Sequence, residues 1–358
     1  MNSSQRIIAL KQSAAAEGTD GFLIFNHANL TYLTGISGAS ALLIPQDGEN
    51  TVYVYGVNYA HVKAELSGFT VELVKQGEDL LAKIAKHARE VKIEKLAVDA
   101  LNVESWRTLT KSLGSEKMLV SGSRSIRELR KVKDKKEIEL MRKAAELTSE
   151  GMRVAYEAVV PGVREYDVAA EIEYAMRKQG CSGTAFDTIV ASGVYSAFPH
   201  GGCSDRKIRK GNLVVVDLGA TYEFYRSDMT RTFTAGKPSA KQKKIYQIVK
   251  TAHDKAVEAV KPNAKAADVD ALARKLIADA GYGDCFVHSL GHGVGLEIHE
   301  PPTLSPDSKD VLTAGNVVTV EPGIYLLGYG GIRIEDTVLI RNKVVEKLTI
   351  GPYTLGKE

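Results

Sequence analysis

Apolar positions along this chain fall into two kinds of pattern. In the first third, short strand-like runs, GFLIF (21–25), ALLI (41–44), TVYVY (51–55) and KLAVDA (95–100), alternate with helix-like stretches that begin with a polar N-terminal helix. That alternation predicts an α/β domain. Asparagine and glycine in NLTYLTG (29–35) suit a turn, which is what we expect there. Nothing in this third clusters His, Asp and Glu as chemistry requires, so its expected role is a scaffold or an oligomerisation domain.

The pattern changes in RSIRELRKVKDKKEIELMRKAAELT (124–148), which is dense in charge and then becomes periodic at Ile138, Met141, Ala145 and Leu147. The junction is placed there, giving domains of 1–125 and 126–358. Glu128, Asp134, Glu137 and Glu139 interrupt the basic run, so it reads as a solvated helix face rather than a nucleic-acid patch.

Beyond the junction the sequence repeats itself. Pro161 to Gly180 and Pro262 to Gly281 share Pro, Asp-Val (Asp167-Val168, Asp268-Val269) and Gly at a constant offset of 101 residues. A helical stretch precedes each copy, 135–159 and 240–260, with Pro breaking the first helix and Gly closing the second. Strand-like runs follow each: DTIVAS (187–192), NLVVVDLGA (212–220) and RTFTA (231–235), then CFVHS (285–289), NVVTVEPGIY (316–325) and RIEDTVLI (333–340). The prediction is two pseudo-symmetric helix-helix-sheet halves, helices outside and a cleft on the inner face.

With 358 residues, 44% hydrophobic and 25% charged, the chain has ample material for two cores. Its 47 Lys and Arg against 44 Asp and Glu give no electrostatic case for nucleic acid or an anionic membrane, and neither is an expected partner. Cys181, Cys203 and Cys285 form no CxxC pair, and their odd number suits a reducing compartment. No long apolar stretch suggests a leader or a membrane span, so a cytoplasmic location is expected.

Acids stand where buried strands ought to be apolar. Asp217 ends LVVVD and Glu321 ends VVTVE; a buried carboxylate without compensation costs several kcal/mol or takes up a proton. Asp228 in SDMTRT and Glu335 in IRIEDT are further acids in strand-like contexts, 11 and 14 residues beyond those mates. Four carboxylates in one cleft repel unless cations neutralise them, and two divalent ions supply four positive charges. His292, in SLGHGVGLEIHE, lies among Gly291, Gly293 and Gly295, which disfavour a helix and permit close backbone approach to a bound group. An imidazole beside carboxylates favours Mn, Co, Fe or Zn. The HExxH pattern is absent, since Ser289 follows His288.

Taken together, VVVDLGA, SDMTRTF, LGHGVGLEIHE, VEPGIY and IRIEDT resemble the motifs of the pita-bread metallopeptidases, over about residues 130–350. This is the group of Xaa-Pro dipeptidase (prolidase), aminopeptidase P and methionine aminopeptidase. NLTYLTG and the N-terminal third resemble the creatinase-type domain of the proline-directed branch. The resemblance implies a pita-bread catalytic domain of α+β class behind an α/β N-terminal domain. It implies metal ligation by Asp217, Asp228, His292, Glu321 and Glu335, with Asp228 and Glu335 bridging two ions. Glu321 would also handle the proton of the attacking water. His200, His288 and His299 match substrate-contacting histidines, and Arg333 matches an arginine that helps hold the site.

The expected reaction is hydrolysis of the bond before proline in a small Xaa-Pro peptide, with prolidase favoured over aminopeptidase P and a homodimer implied by the family. A silent binding protein and the metal-free creatinase reaction are disfavoured, because relatives of those kinds lack the five ligands. The chain departs from the family at Phe224, where glycine often occupies the hairpin between the two aspartates.

Overall fold

The computed structural model describes residues 2–115 and 118–356. They divide into two compact units, Met1–Arg130 and Lys131–Glu358.

The first unit is built on a six-stranded sheet in the order Thr70–Val74, Thr51–Tyr55, Ala41–Pro45, Gly21–Ile24, Leu96–Val98, Leu119–Ser121. It is mixed, antiparallel where Ala41–Pro45 joins its two neighbours and parallel elsewhere. Strands such as Gly21–Ile24 and Ala41–Pro45 are buried at every position, which is why they read as continuous apolar runs. NLTYLTG is not a turn. Residues His27–Thr34 form a helix, because the Asn26 side chain caps it by accepting from Asn29 N, and Gly35 ends it in left-handed backbone (φ 81°). Asn29 lies in the first turn of that helix and Gly35 at its end, so neither is in the middle of a loop.

In the second unit the repeat appears as two helix pairs, Lys135–Ala158 with Glu165–Lys178 and Ala240–Ala259 with Ala266–Asp279. Capping boxes start the first helix of each pair, Asp134 with Glu137 and Ser239 with Gln242. Each half buries its own core. Met152, Val168, Ile172 and Met176 pack with Val214, Val216 and Phe233, and Ile245, Val249, Val269 and Ile277 pack with Val318, Val320, Ile332 and Val338.

The first half carries an antiparallel sheet ordered Met229–Thr234, Leu213–Leu218, Ile189–Ser192. In the second, five strands run Glu300–Leu304, Gly291–Gly293, Val317–Val320, Asp336–Ile340, Val345–Lys347. The hairpin Gly323–Leu326 with Gly330–Arg333 completes it. The halves are stitched where Met229–Thr234 meets Arg333 to Thr337: Glu335 N donates to Thr230 O (3.1 Å), and Thr337 Oγ1 donates to Asp228 O (2.8 Å). Four acids therefore approach that seam from the ends of strands.

CFVHS does not form the expected strand. A 3₁₀ turn covers Gly283–Cys285, and the strand begins only at Gly291, because the intervening backbone bonds to side chains instead of to a neighbouring strand. No helix among the described residues is long and apolar enough to cross a membrane.

Candidate metal centre

Five side chains meet at the seam. Asp217 leaves a strand whose six residues are all buried, and Asp228 directly precedes the strand Met229–Thr234 that pairs with it. Glu321 directly follows Val317–Val320, and Glu335 sits between Gly330–Arg333 and Asp336–Ile340. His292 is the middle residue of the short strand Gly291–Gly293. Close-packed neighbouring backbone requires glycine on either side of it. A Cβ at Gly291 would stand 2.0 Å from Thr319 O, and one at Gly293 would stand 2.4 Å from Pro301 O.

Ligand-type atoms of Asp228, His292 and Glu335 all lie within 4.8 Å of one another. His292 Nε2 is 3.3 Å from Glu321 Oε1 and 3.6 Å from Asp228 Oδ2. Asp217 joins the group through Arg333, whose Nη2 donates to its Oδ2, while its Oδ1 is buried with no partner. Glu335 Oε2 accepts from Thr230 Oγ1 (2.7 Å), and Oε1 is likewise buried and unpaired.

Electrostatics divides the cluster. Burial, with Asp217 and Glu321 nearby, pushes Asp228 well above the ordinary carboxylate range against the pull of His292 and Arg333. Glu335 is raised well above for the same cause, burial first and then Asp228, Glu321 and Asp217. Burial also opposes the charges of Glu321 and His292. Their mutual hydrogen bond and attraction outweigh it, holding Glu321 at about 2 and His292 at about 9. Orphaned buried oxygens and two acids forced towards protonation are the signature of a site short of positive charge. An oxygen-rich set with one imidazole suits a divalent transition metal, and these residues fit one.

The remaining histidines surround the acids. His288 Nε2 lies 2.9 Å from the Tyr325 hydroxyl, which accepts from Arg333 Nη1 (2.9 Å); burial is the main reason the His288 pKa is lowered. His299 packs edge-on against His292, ring centroids 4.3 Å apart, and is lowered by burial and then by the His292 charge. His200 is exposed; it bears on the group through charge, as one of the influences that lower His288 and His299. Arg333 Nη1 also donates to Pro199 O (3.3 Å), next to His200.

Sequence reasoning missed Thr230, Thr319 and Tyr325. Thr230 Oγ1 accepts from Arg333 Nε (3.0 Å) while donating to Glu335, and Thr319 Oγ1 accepts from His292 N (3.0 Å) while donating to Glu321 Oε1 (3.2 Å). Both hydroxyls are fully buried beside a site acid, and Thr two residues before Glu321 is the signal available in VVTVE. Phe224 is accommodated at the hairpin turn. Glu223 (φ 42°) and Phe224 (φ 74°) both take left-handed backbone at the tip of the hairpin, and Phe224 is exposed.

Two duplicated helix-helix-sheet halves, clasping acids and one imidazole at their seam, define a pita-bread metalloenzyme architecture. The family profile "Metallopeptidase family M24" matches residues 139–342, and "Creatinase/Prolidase N-terminal domain" matches residues 6–132. The chain belongs to metallopeptidase family M24 and is a metallopeptidase. It is 42% identical to the Xaa-Pro dipeptidase of Pyrococcus furiosus over 346 residues, 96% of this chain and 97% of that protein. The crystal structure of the prolidase from Pyrococcus horikoshii superposes with a TM-score of 0.92 at 39% identity, covering 97% and 99% of the two chains. The X-Pro aminopeptidase from Thermotoga maritima does so at 0.85 and 36%, covering 95% and 98%.

Proposed function

We propose that this chain hydrolyses the peptide bond preceding proline in Xaa-Pro dipeptides, with two divalent ions held by Asp217, Asp228, His292, Glu321 and Glu335. The observation that carries the reading is similarity to an Xaa-Pro dipeptidase over nearly the whole length of both chains, at 42% identity. Such ions supply Lewis acidity and make water a nucleophile at neutral pH. Asp228 and Glu335, both raised well above the ordinary range by burial first and then by neighbouring acids, are the pair best suited to sharing two cations.

Among the side chains, Glu321 is assigned the proton of the attacking water, as the ionised carboxylate of the cluster, 3.3 Å from His292 Nε2. His299, held neutral by its lowered pKa, can donate a hydrogen bond to a developing oxyanion without carrying charge into the ground state. Neutral His288 already donates from Nδ1 to Ser289 O (2.8 Å) and accepts at Nε2 from the Tyr325 hydroxyl, which it is assigned to orient towards the substrate. His200, exposed at the rim, is assigned to substrate contact. Arg333 holds Asp217 and the Tyr325 hydroxyl in one fork.

We assign catalysis to residues 126–358 and a scaffold role to 1–125. Manganese or cobalt, a homodimer and a cytoplasmic location complete the reading; the three free cysteines favour a reducing compartment. Aminopeptidase P activity is the second reading, supported by the likeness to the Thermotoga maritima enzyme.

Cleavage of Ala-Pro against Ala-Pro-Ala, after chelation and after adding back manganese or cobalt, tests both. Metal-dependent cleavage of Ala-Pro is expected; efficient cleavage of the tripeptide alone selects the second reading, and full activity in the chelated protein sinks both. Light scattering checks the dimer.

A further inference from the structure

Two buried acids outside the metal cluster are tied to the segments that carry its histidines. Glu165, in the first turn of Glu165–Lys178, is 1% exposed. Its Oε1 accepts from Ser192 N (2.8 Å), Ser192 Oγ (2.7 Å) and Arg206 Nη1 (2.9 Å), and its Oε2 accepts from Ser204 Oγ (2.7 Å). Ser192 and Ser204 bracket residues 193–203, so one carboxylate closes both ends of the loop that bears His200. Arg206 then lies over the Tyr195 ring, 3.4 Å from its centroid, inside that loop.

The second half has a counterpart. Asp270, fully buried on Ala266–Asp279, accepts from Leu290 N (3.0 Å) through Oδ1 and forms a two-pronged pair with Arg274 (2.8 and 2.9 Å). Arg274 in turn donates to Phe286 O and His288 O (both 3.0 Å). Leu290 O accepts from Glu321 N (2.8 Å), so Asp270 holds the main chain between His288 and His292 and, one bond further, the start of Glu321.

Duplication does not account for the likeness. With the repeat offset of 101, Glu165 corresponds to Ala266 and Asp270 to Ala169. Two separately placed ion pairs therefore serve the same kind of segment in each half, an irregular stretch with no strand ladder to hold it. A neutral Asn or Gln could satisfy much of that backbone. An ionised acid with a forked arginine costs more desolvation and gives stricter geometry.

We propose that Glu165–Arg206 and Asp270–Arg274 are positioning pairs, the first setting His200 and the second setting His288 and His292 around the metal cluster. The proposal rests on the roles assigned to those histidines above, and it separates the two pairs by what each controls.

In the full chain loaded with manganese, Arg206→Met is expected to lower kcat on Ala-Pro by about 10-fold to 100-fold with manganese affinity unchanged, since no ligand lies on its loop. Arg274→Met is expected to weaken manganese binding by about 10-fold to 100-fold, because His292 shifts with its segment. Glu165→Gln and Asp270→Asn, which keep side-chain acceptors, should each recover part of the function lost on replacing the same acid with Ala. Hydrogen exchange on the metal-free chain gives an independent reading: Ser192 N should exchange faster in Arg206→Met and Leu290 N in Arg274→Met. Lower melting temperatures with parental kcat, parental manganese affinity and parental exchange would overturn the proposal. A parent chain that binds no manganese, yet shows both exchange effects, would sink the metal assignment and leave the positioning pairs standing.

Discussion

Glu335 and Asp336 are adjacent at the start of one strand, the first just outside it, both buried, 1% and 0% exposed, and they behave as opposites. Glu335 faces acids and is pushed well above the ordinary range, with one oxygen unpaired. Asp336 faces bases. Burial works against its charge too, but Arg231 (2.8 Å), His253 (3.3 Å) and Lys347 (3.2 Å) hold it well below the ordinary range. Arg231 also donates to Glu335 O (2.6 Å) and Thr230 O (2.9 Å), so the satisfied cluster holds the backbone of the unsatisfied one. Burial alone does not decide whether an acid is structural or chemical; the partners across the strand do.

The contrast can be broken most severely at Asp336. Its replacement by Ala leaves the Arg231 guanidinium buried without its carboxylate counter-charge, and we expect a loss of about 3–5 kcal/mol in unfolding free energy by denaturant titration. A folded pKa below the unfolded value contributes stability that is present above about pH 4 and lost as pH falls through it. The variant should therefore show a flatter acid limb than the parent, and an unchanged limb would count against Asp336 as its source.

Glu335→Gln is the converse change. Activity on Ala-Pro is expected to fall at least about 100-fold, roughly 2.7 kcal/mol, with the metal-free chain as stable as the parent or more so, because Gln replaces a carboxyl that burial and neighbouring acids already push towards its neutral form. A marked drop in the melting temperature of the metal-free variant would place Glu335 with Asp336 after all.

Metal binding probes the same asymmetry through pH. Asp228 and Glu335 are raised and His292 sits at about 9, so all three favour their protonated forms in the metal-free chain and must release protons to a cation. Manganese affinity should rise with pH between about 6 and 9, by up to tenfold per unit for each proton displaced. Calorimetry in buffers of different ionisation enthalpy measures the released protons; an affinity flat across that range contradicts the assigned ligands.

The smallest effect is expected away from both clusters. Phe224→Gly relieves left-handed backbone at an exposed hairpin tip and should stabilise the chain by about 1 kcal/mol without changing kcat. A changed kcat would mean that the Phe224 ring contributes to the cleft.

Patterns within one segment were legible in the sequence. The strands 213–218 and 317–320, the repeat of helix pairs and the acids closing apolar runs at Asp217 and Glu321 each depend on local periodicity and on the rarity of unpaired buried charge. Where one composition serves two conformations, the signal failed: in NLTYLTG, Asn29 lies in the first turn of a helix that Gly35 ends, and CFVHS is held by side chains instead of a ladder. Apart from the family resemblance, IRIEDT offered no physical means of telling Glu335 from Asp336, because both are acids in the same apolar context and differ only in what distant strands bring opposite them. Sequence alone determined that buried acids and an imidazole had to find compensating charge. Tertiary structure decided which of them found it in arginine and which were left facing one another, because a carboxylate's charge state depends on neighbours within a few ångströms that lie about a hundred residues away along the chain.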